Sequence, residues 1–164
     1  TSAEALEYVT ISGFGVHFSR MAGLQLVNGR HLTLETLDIT NHGGLGLGMD
    51  GSHLTVSRVE VANIGCGAVM LSGGETMCMG SDPNACVSGT NLRDAGNVVE
   101  HSTVHNFGRL CRAYMPGVSF EGAGHHVRFN SIYNAPHAGI FGRGNDCTFN
   151  NNILRDLAYE STDT

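Results

Sequence analysis

A gapless internal repeat constrains the fold of this chain more than any other feature of its sequence. Residues 31–52 (HLTLETLDITNHGGLGLGMDGS) align with residues 53–74 (HLTVSRVEVANIGCGAVMLSGG) at a spacing of 22. The matched positions are Leu32 and Leu54, Leu34 and Val56, Leu37 and Val59, Ile39 and Val61, Asn41 and Asn63, Leu47 and Val69, and Met49 and Leu71. A fixed period in this range is typical of solenoids, in which each repeat packs only against its neighbours.

The pattern within each repeat predicts strands rather than helices. Apolar residues alternate with small or polar ones over short stretches, and no stretch has the spacing of an apolar helical stripe. Asn and Gly separate these stretches, and both residue types suit tight or left-handed corners. The sequence therefore predicts an all-β β-solenoid, a parallel β-helix with three short strands in each coil of about 22 residues.

Two irregular segments interrupt the period within a single domain spanning residues 1–164. The first covers residues 75–96 and the second covers residues 108–116, and we interpret both as loops inserted between strands. Val99 and Val127 take equivalent positions at a spacing of 28 rather than 22, because the second insertion lies between them. Neither end of the chain offers the polar cap that a solenoid needs, so we expect a fragment of a longer β-helix with about six to seven coils here.

The net charge of the chain disfavours anionic binding partners. The formal net charge is −6, and all nine basic residues are Arg. An acidic chain is a poor match for nucleic acid or for an anionic membrane surface. No apolar run approaches the length of about 20 residues that a membrane span requires. We expect no nucleic-acid partner and no membrane span, with an extracellular or cell-surface location as the working hypothesis.

The five cysteines cannot all pair with one another, because their number is odd. They are Cys66, Cys78, Cys86, Cys111 and Cys147. One interpretation is that they are free thiols; the other is a local disulfide between Cys78 and Cys86 in an oxidising compartment. Their spacing fits no zinc-binding pattern.

The C-terminal part repeats the 22-residue unit and carries the densest set of reactive groups. Val127, Phe129, Asn130, Ile132 and Asn134 recur as Phe149, Asn151, Asn152, Leu154 and Asp156. By the same register Asn106, Asn134 and Asp156 fall on one corner, where polar side chains can form a ladder. His125 and His126 precede this unit, and we expect both in a solvated turn.

One combination in this region resembles right-handed parallel β-helix proteins of the glycoside-hydrolase type, within the pectate-lyase-like superfamily. The residues are Ile132, Pro136, His137, Ile140, Gly144, Asn145 and Asp146, followed by Glu160 and Asp163. The chain departs from the usual pattern in having Gly142-Arg143-Gly144 for a Gly-Gly pair and Cys147-Thr148 for a His-Leu pair. The resemblance implies a right-handed helix, a carbohydrate substrate and further acidic residues in later coils.

Three acidic residues are the catalytic candidates: Asp163, Glu160 and Asp146. Glycoside hydrolysis uses two carboxyl groups, one as the acid and one as the base or nucleophile. The 22-residue period places Asp163 beside Phe141 and Ser119 with its side chain directed to solvent. For each acid the alternative is a solvated or turn-capping carboxylate.

Four further residues are candidates for binding the substrate: His137, Arg143, Asn145 and Tyr114. His137 can hydrogen-bond a sugar hydroxyl, Arg143 can clamp a uronate carboxylate, and Tyr114 can stack on a sugar ring. The alternatives are a corner His bonded to backbone, an Arg paired with an acid, and an exposed loop Tyr. We expect no cofactor and no metal; a calcium ion held by Asn145, Asp146 and Glu160 is the alternative.

The function predicted from these residues is hydrolysis of a polysaccharide or oligosaccharide through a pair of carboxylates. A non-catalytic carbohydrate-binding or adhesive β-helix is the alternative of a different class. A polysaccharide lyase is a third interpretation, which the absence of Lys disfavours. Because one carboxyl is expected beyond Thr164, we expect the 164-residue chain alone to be inactive.

Overall fold

A computed structural model describes residues 5–75 and 92–160, and over these residues the chain is all β. The strands are β1 (Leu6–Glu7), β2 (Thr10–Ser12), β3 (Gly15–His17), β4 (Leu24–Arg30), β5 (Thr33–Glu35), β6 (Asp38–His42), β7 (Leu47–Ser52), β8 (Thr55–Ser57), β9 (Glu60–Ile64), β10 (Val69–Gly73), β11 (Asn97–Glu100), β12 (Thr103–His105), β13 (Val118–Ala123), β14 (His125–Arg128), β15 (Ser131–Ala135), β16 (Ile140–Asn145), β17 (Thr148–Asn150) and β18 (Ile153–Leu157).

These strands form three parallel sheets of six strands each in the described part of the chain. Sheet 1 has the order β1-β4-β7-β10-β13-β16, sheet 2 the order β2-β5-β8-β11-β14-β17, and sheet 3 the order β3-β6-β9-β12-β15-β18. Every third strand therefore returns to the same sheet, and three consecutive strands make one coil. The result is six coils of a right-handed parallel β-helix, which confirms the predicted fold.

The strand register confirms the repeat read from the sequence. Leu47 pairs with Val69 and Leu34 with Val56, at the spacing of 22. Val99 pairs with Val127 across the second insertion, at the predicted spacing of 28. The apolar residues that recur in sequence are thus stacked in space, one above the other along the helix axis.

Inward-facing columns of aliphatic side chains make the core. One runs along sheet 2 through Leu34, Val56, Val99 and Val127, all fully buried. Burying an aliphatic side chain of this size contributes about 1.5–3 kcal/mol. Successive strand residues point to opposite faces, so the same alternation that builds the core leaves a polar column on the outside of each sheet.

The corner that follows sheet 3 carries the predicted polar ladder. Asn41, Asn63, Asn106, Asn134 and Asp156 all have φ between 53° and 63°, a left-handed conformation that Asn and Asp tolerate better than most residues. The Nδ2 atom of Asn106 donates to Oδ1 of Asn63 at 3.2 Å, and Asn134 donates to Asn106. These side chains lie on the outside of the coil.

Two inward-facing columns change from apolar to polar along the helix. The column at the start of sheet 2 runs Leu32, Leu54, Asn97, His125 and Cys147, and the column after sheet 2 runs Leu37, Val59, Ser102, Asn130 and Asn152. In the later coils the Asn side chains of these columns bond to the backbone of the coil before: Asn97 Oδ1 accepts from Leu54 N at 3.0 Å, and Asn130 Oδ1 accepts from Ser102 N at 3.0 Å.

The expected solvated turn at His125 and His126 is wrong. Both residues belong to strand β14, and His125 is fully buried, because its side chain occupies the inward column that Leu32 and Leu54 begin. Its Nε2 donates to the carbonyl of Glu121 at 3.1 Å. His126 alternates to the outside, where its Nδ1 is hydrogen-bonded to Thr148 Oγ1 at 2.7 Å.

The second insertion is tied to the coils by a disulfide between Cys66 and Cys111. Neither cysteine interpretation drawn from the sequence named this pair. The backbone also holds the segment, because Gly108 N donates to Cys66 O at 2.8 Å and Leu110 N donates to Gly65 O at 2.7 Å. Cys78, Cys86 and most of the 75–96 insertion lie outside the described residues; the flanking Glu75 and Arg93 form an antiparallel bridge.

Candidate carbohydrate-binding face

The outer face of sheet 1 presents two columns of side chains. One column runs Gln25, Gly48, Met70, Ser119 and Phe141, and the other runs Asp50, Ser72, Glu121 and Arg143. Both exist because the residues between them point inward to the core. Their members come from strands far apart in sequence, which parallel pairing brings side by side.

A groove with a volume of about 410 Å³ lies on this face where the second insertion meets the sheet. Its lining residues are Tyr114, Pro116, Ser119, Phe120, Glu121, Phe141, Gly142 and Arg143. Phe141 is 53% exposed and Tyr114 is 59% exposed. Two aromatic rings therefore border a groove that also holds charged side chains, an arrangement that suits a ligand with both apolar and hydroxyl-bearing faces.

The charged groups of the groove are paired across neighbouring strands. Arg143 donates from Nη2 and Nε to Oε1 of Glu121 at 2.5 Å and 3.2 Å. Asp50 lies in the same column as Glu121, two strands further along. Two strand spacings correspond to about 9.6 Å between their Cα atoms. Both side chains of the ion pair are partly exposed, so the pair is accessible to a polar ligand.

Tyr114 is positioned from beneath by His137. The two ring centroids are 5.1 Å apart, with the planes inclined at 49°. His137 is only 4% exposed, and its buried Nδ1 has no hydrogen-bond partner among the described residues. His137 was predicted to bind a sugar directly. Its side chain is instead buried behind Tyr114 and does not line the groove.

The insertion is held on its other side by Glu160. Arg112 Nε donates to Glu160 Oε2 at 2.7 Å, and Arg112 Nη2 donates to Glu160 Oε1. The backbone N of Glu160 also donates to Pro136 O at 3.3 Å. Glu160 is therefore engaged as the anchor of the loop that carries Tyr114.

The remaining predicted site residues lie at the far end of β16. Asn145 ends that strand, and its carbonyl accepts from Gly124 N at 3.0 Å. Asp146 follows it in the corner with a φ of 50° and is exposed. The six residues of β16 span about 20 Å, so Asn145 and Asp146 do not converge with Glu160. Asp163 lies outside the described residues.

The structure thus brings Tyr114 and Arg143 into one groove and adds groups that the sequence did not single out. Glu121 and Asp50 are acids in the second column of this face, and neither was a candidate. Val69 pairs with Val118 at a spacing of 49, which spans both insertions, and this register stacks Ser72 on Glu121. The 22-residue period alone does not contain that spacing.

Comparison with protein families matches residues 2–154 to the model of the right handed beta helix region. The chain belongs to the right-handed β-helix family. No curated protein and no solved structure matches it. Membership of this β-helix family accounts for the coil architecture, and the chemistry has to be argued from the residues on its outer face.

Two further findings concern this β-helix as far as the structure describes it. Over residues 5–75 and 92–160, no three His, Cys, Asp or Glu side chains are grouped so as to hold a metal ion. Within the same ranges, no helix has the length and apolar character needed to cross a membrane.

Proposed function

We propose that the outer face of sheet 1 binds a polysaccharide or oligosaccharide and that the protein is a glycoside hydrolase. The observation that carries the proposal is the groove in which the exposed rings of Tyr114 and Phe141 flank the Glu121–Arg143 pair. Aromatic rings supply apolar contact to the C–H faces of sugars, while charged groups hydrogen-bond their hydroxyls.

In the proposed complex each of these groove residues contacts the sugar. Phe141 extends from the sheet, and Tyr114 faces it from the disulfide-tied insertion, so a sugar ring packs against one or both. Arg143 has N–H donors beyond the two that Glu121 uses, and these donate to hydroxyl or carboxylate oxygens. Charge-assisted bonds of this kind are shorter and stronger than neutral ones.

The catalytic step requires two carboxyl groups about 5–10 Å apart. The sequence period assigns Asp163 to the column of Ser119 and Phe141, and this assignment stays a prediction. Glu121 occupies the neighbouring column of the same face. We propose Asp163 and Glu121 as the catalytic pair. Asp50, in the same column as Glu121, would contact a substrate long enough to extend along the sheet.

The test uses the full-length protein and a panel of plant and algal polysaccharides. We expect Asp163→Asn and Glu121→Gln each to lower kcat by at least about a hundredfold, the usual scale for a lost acid or base, with substrate binding retained. Phe141→Ala should instead weaken binding about tenfold. Asp156→Asn is the matched control, because Asp156 is a corner carboxylate bonded to Arg155 away from this face; it should leave hydrolysis unchanged. Unaltered hydrolysis in both acid variants would overturn the assignment.

A non-catalytic carbohydrate-binding β-helix is the second candidate. It is favoured by the ion pair between Glu121 and Arg143. Glu121 is the acid among the described residues that line this groove, and Arg143 already binds its carboxylate. Binding of a glycan without release of reducing ends from any substrate would select this function. Products with an unsaturated sugar ring would select a lyase.

A further inference from the structure

A second groove follows the outer Asn ladder at the corner after sheet 3. It consists of two adjoining depressions of about 310 Å³ and 450 Å³, and Asn63 and Arg109 line both. The other residues that the next steps use are Asn106, Asn134 and Tyr159, all on the wall of the second depression. Tyr114, on the same 108–116 insertion, lines the sheet 1 groove instead.

Arg109 provides a positive charge that no described residue neutralises. It is exposed, and its guanidinium makes no hydrogen bond or ion pair over residues 5–75 and 92–160. Its neighbour Arg112 differs in this respect, because Glu160 accepts two of the Arg112 N–H groups. All five donors of the Arg109 guanidinium are therefore available to a ligand.

The backbone beneath Arg109 is fixed before any ligand arrives. Arg109 N donates to Ile64 O at 3.2 Å, and Cys111 is joined to Cys66 by the disulfide. The carbonyl of Arg109 accepts from Arg112 Nη1 at 3.4 Å. Binding to Arg109 thus requires ordering of one side chain but not of the loop that carries it, which lowers the entropic cost of association.

The Asn ladder adds a regular row of amides beside this charge. Each ladder contact uses one N–H of the donating amide, so Asn106 and Asn134 keep a second N–H for a ligand. The strand spacing repeats these groups about every 4.8 Å. A row of amides next to one guanidinium matches a ligand with many hydroxyls and a carboxylate.

We propose that this groove is a separate binding site for an acidic oligosaccharide, with Arg109 holding a carboxylate and the Asn ladder bonding hydroxyls. Arg pairs with planar carboxylates through two parallel N–H donors. Tyr159, which is 56% exposed, adds an aromatic ring to the lining of the groove. The site shares no side chain with the sheet 1 groove, so it stands whether or not the proposed hydrolase activity does.

The test compares two ligands that differ only at C6, where one carries a carboxylate and the other a hydroxymethyl group: an oligomer of glucuronate and the neutral glucose oligomer of the same linkage and length. Binding to the full-length protein is followed by calorimetry and by NMR of side-chain amides. We expect the acidic oligomer to bind at least fivefold more tightly and to shift the amide signals of Asn63, Asn106 and Asn134. Arg109→Ala should remove this preference, and Arg109→Lys should retain only part of it.

Controls separate this site from general charge effects and from the sheet 1 groove. Arg30→Ala removes the same charge at an exposed ion pair with Glu7 far from this corner and should leave binding unchanged. Phe141→Ala, which changes only the sheet 1 groove, should leave the shifts of the Asn63, Asn106 and Asn134 amide signals unchanged. A glucose oligomer carrying sulfate in place of carboxylate shows whether the planar carboxylate is required: weaker binding of the sulfate form is expected. Equal binding of acidic and neutral oligomers, or unchanged binding in Arg109→Ala, would overturn the proposal.

Discussion

Equivalent inward positions carry apolar side chains in the second and third coils and polar side chains in the fourth to sixth coils. At the start of sheet 2 the earlier coils use Leu32 and Leu54, whereas the later coils use Asn97 and His125. After sheet 2 the earlier coils use Leu37 and Val59, whereas the later ones use polar side chains, Ser102, Asn130 and Asn152. All three parallel sheets continue through both halves.

This difference shows that an inward position in a β-helix can hold a polar side chain where backbone groups of the neighbouring coil pair with it. In the later coils the inward Asn side chains use their donors and acceptors on the backbone of the preceding coil. Asn130 accepts from Ser102 N at 3.0 Å and donates to Val99 O at 2.9 Å. Buried polar groups that are bonded in this way are not penalised as unpaired groups are. In these columns the later coils thus have side-chain hydrogen bonds to the backbone where the earlier coils have apolar packing.

The sharpest test of the comparison is Asn130→Ala. The change leaves Ser102 N and Val99 O without their side-chain partner in a buried corner. Each orphaned group costs about 1–3 kcal/mol, so the free energy of unfolding should fall by about 4 kcal/mol in urea denaturation.

The matched control is Asn134→Gly at the outer ladder. Asn134 is exposed, and Gly adopts its positive φ of 58° without strain. We expect a loss under about 1 kcal/mol. Similar losses for the inner and the outer Asn would mean that burial does not decide the role of these side chains.

The second prediction concerns the disulfide that joins the two halves. Cys66 follows the third coil and Cys111 follows the fourth, 45 residues later. Replacing both with Ser should lower the free energy of unfolding by about 3 kcal/mol, because the unfolded chain gains freedom. Denaturation under non-reducing conditions measures the loss, and peptide mapping identifies the linkage.

Cys147→Ser is the control for this pair, since Cys147 is the free cysteine among the described residues. Its expected cost is below that of the double variant. Recovery of Cys66 or Cys111 as a free thiol in the oxidised protein would contradict the linkage.

The third and smallest effect is a pH dependence of stability that arises from His125 in the polar half. Burial lowers the pKa of His125 below 6.5, an effect opposed by its bond to the Glu121 carbonyl and assisted by His126. Below about pH 6.5 the unfolded chain therefore binds a proton that the folded chain does not. Stability should fall as the pH drops below this value, by at most about 1.4 kcal/mol per pH unit.

Urea midpoints measured from pH 8 to pH 5 give this slope. His125→Gln removes the titrating group, so the variant should lose stability less steeply over the acidic part of the range. Parallel curves for the two proteins would show that His125 does not contribute.

The fold was predictable from sequence because its determinants are local and repeated. The sequence repeat aligns Leu34 with Val56 and Leu47 with Val69, and these residues are paired on neighbouring strands in the structure. The Asn corner was predictable for the same reason, since Asn41 and Asn63 recur where a left-handed residue is needed. The candidate site was predictable only in part: Tyr114 and Arg143 share the groove, whereas Glu160 anchors the insertion instead.

The sequence by itself determined the 22-residue coil, the direction of most inward side chains and the Asn corner, because each depends on residues one period apart. Only the tertiary structure decided where the chain rejoins the stack after an insertion. That return point stacks Glu121 above Ser72, buries His125 in a column begun by leucines and brings Cys111 to Cys66. Insertions break the period, and the register beyond them is set by which backbone groups and side chains pair across coils.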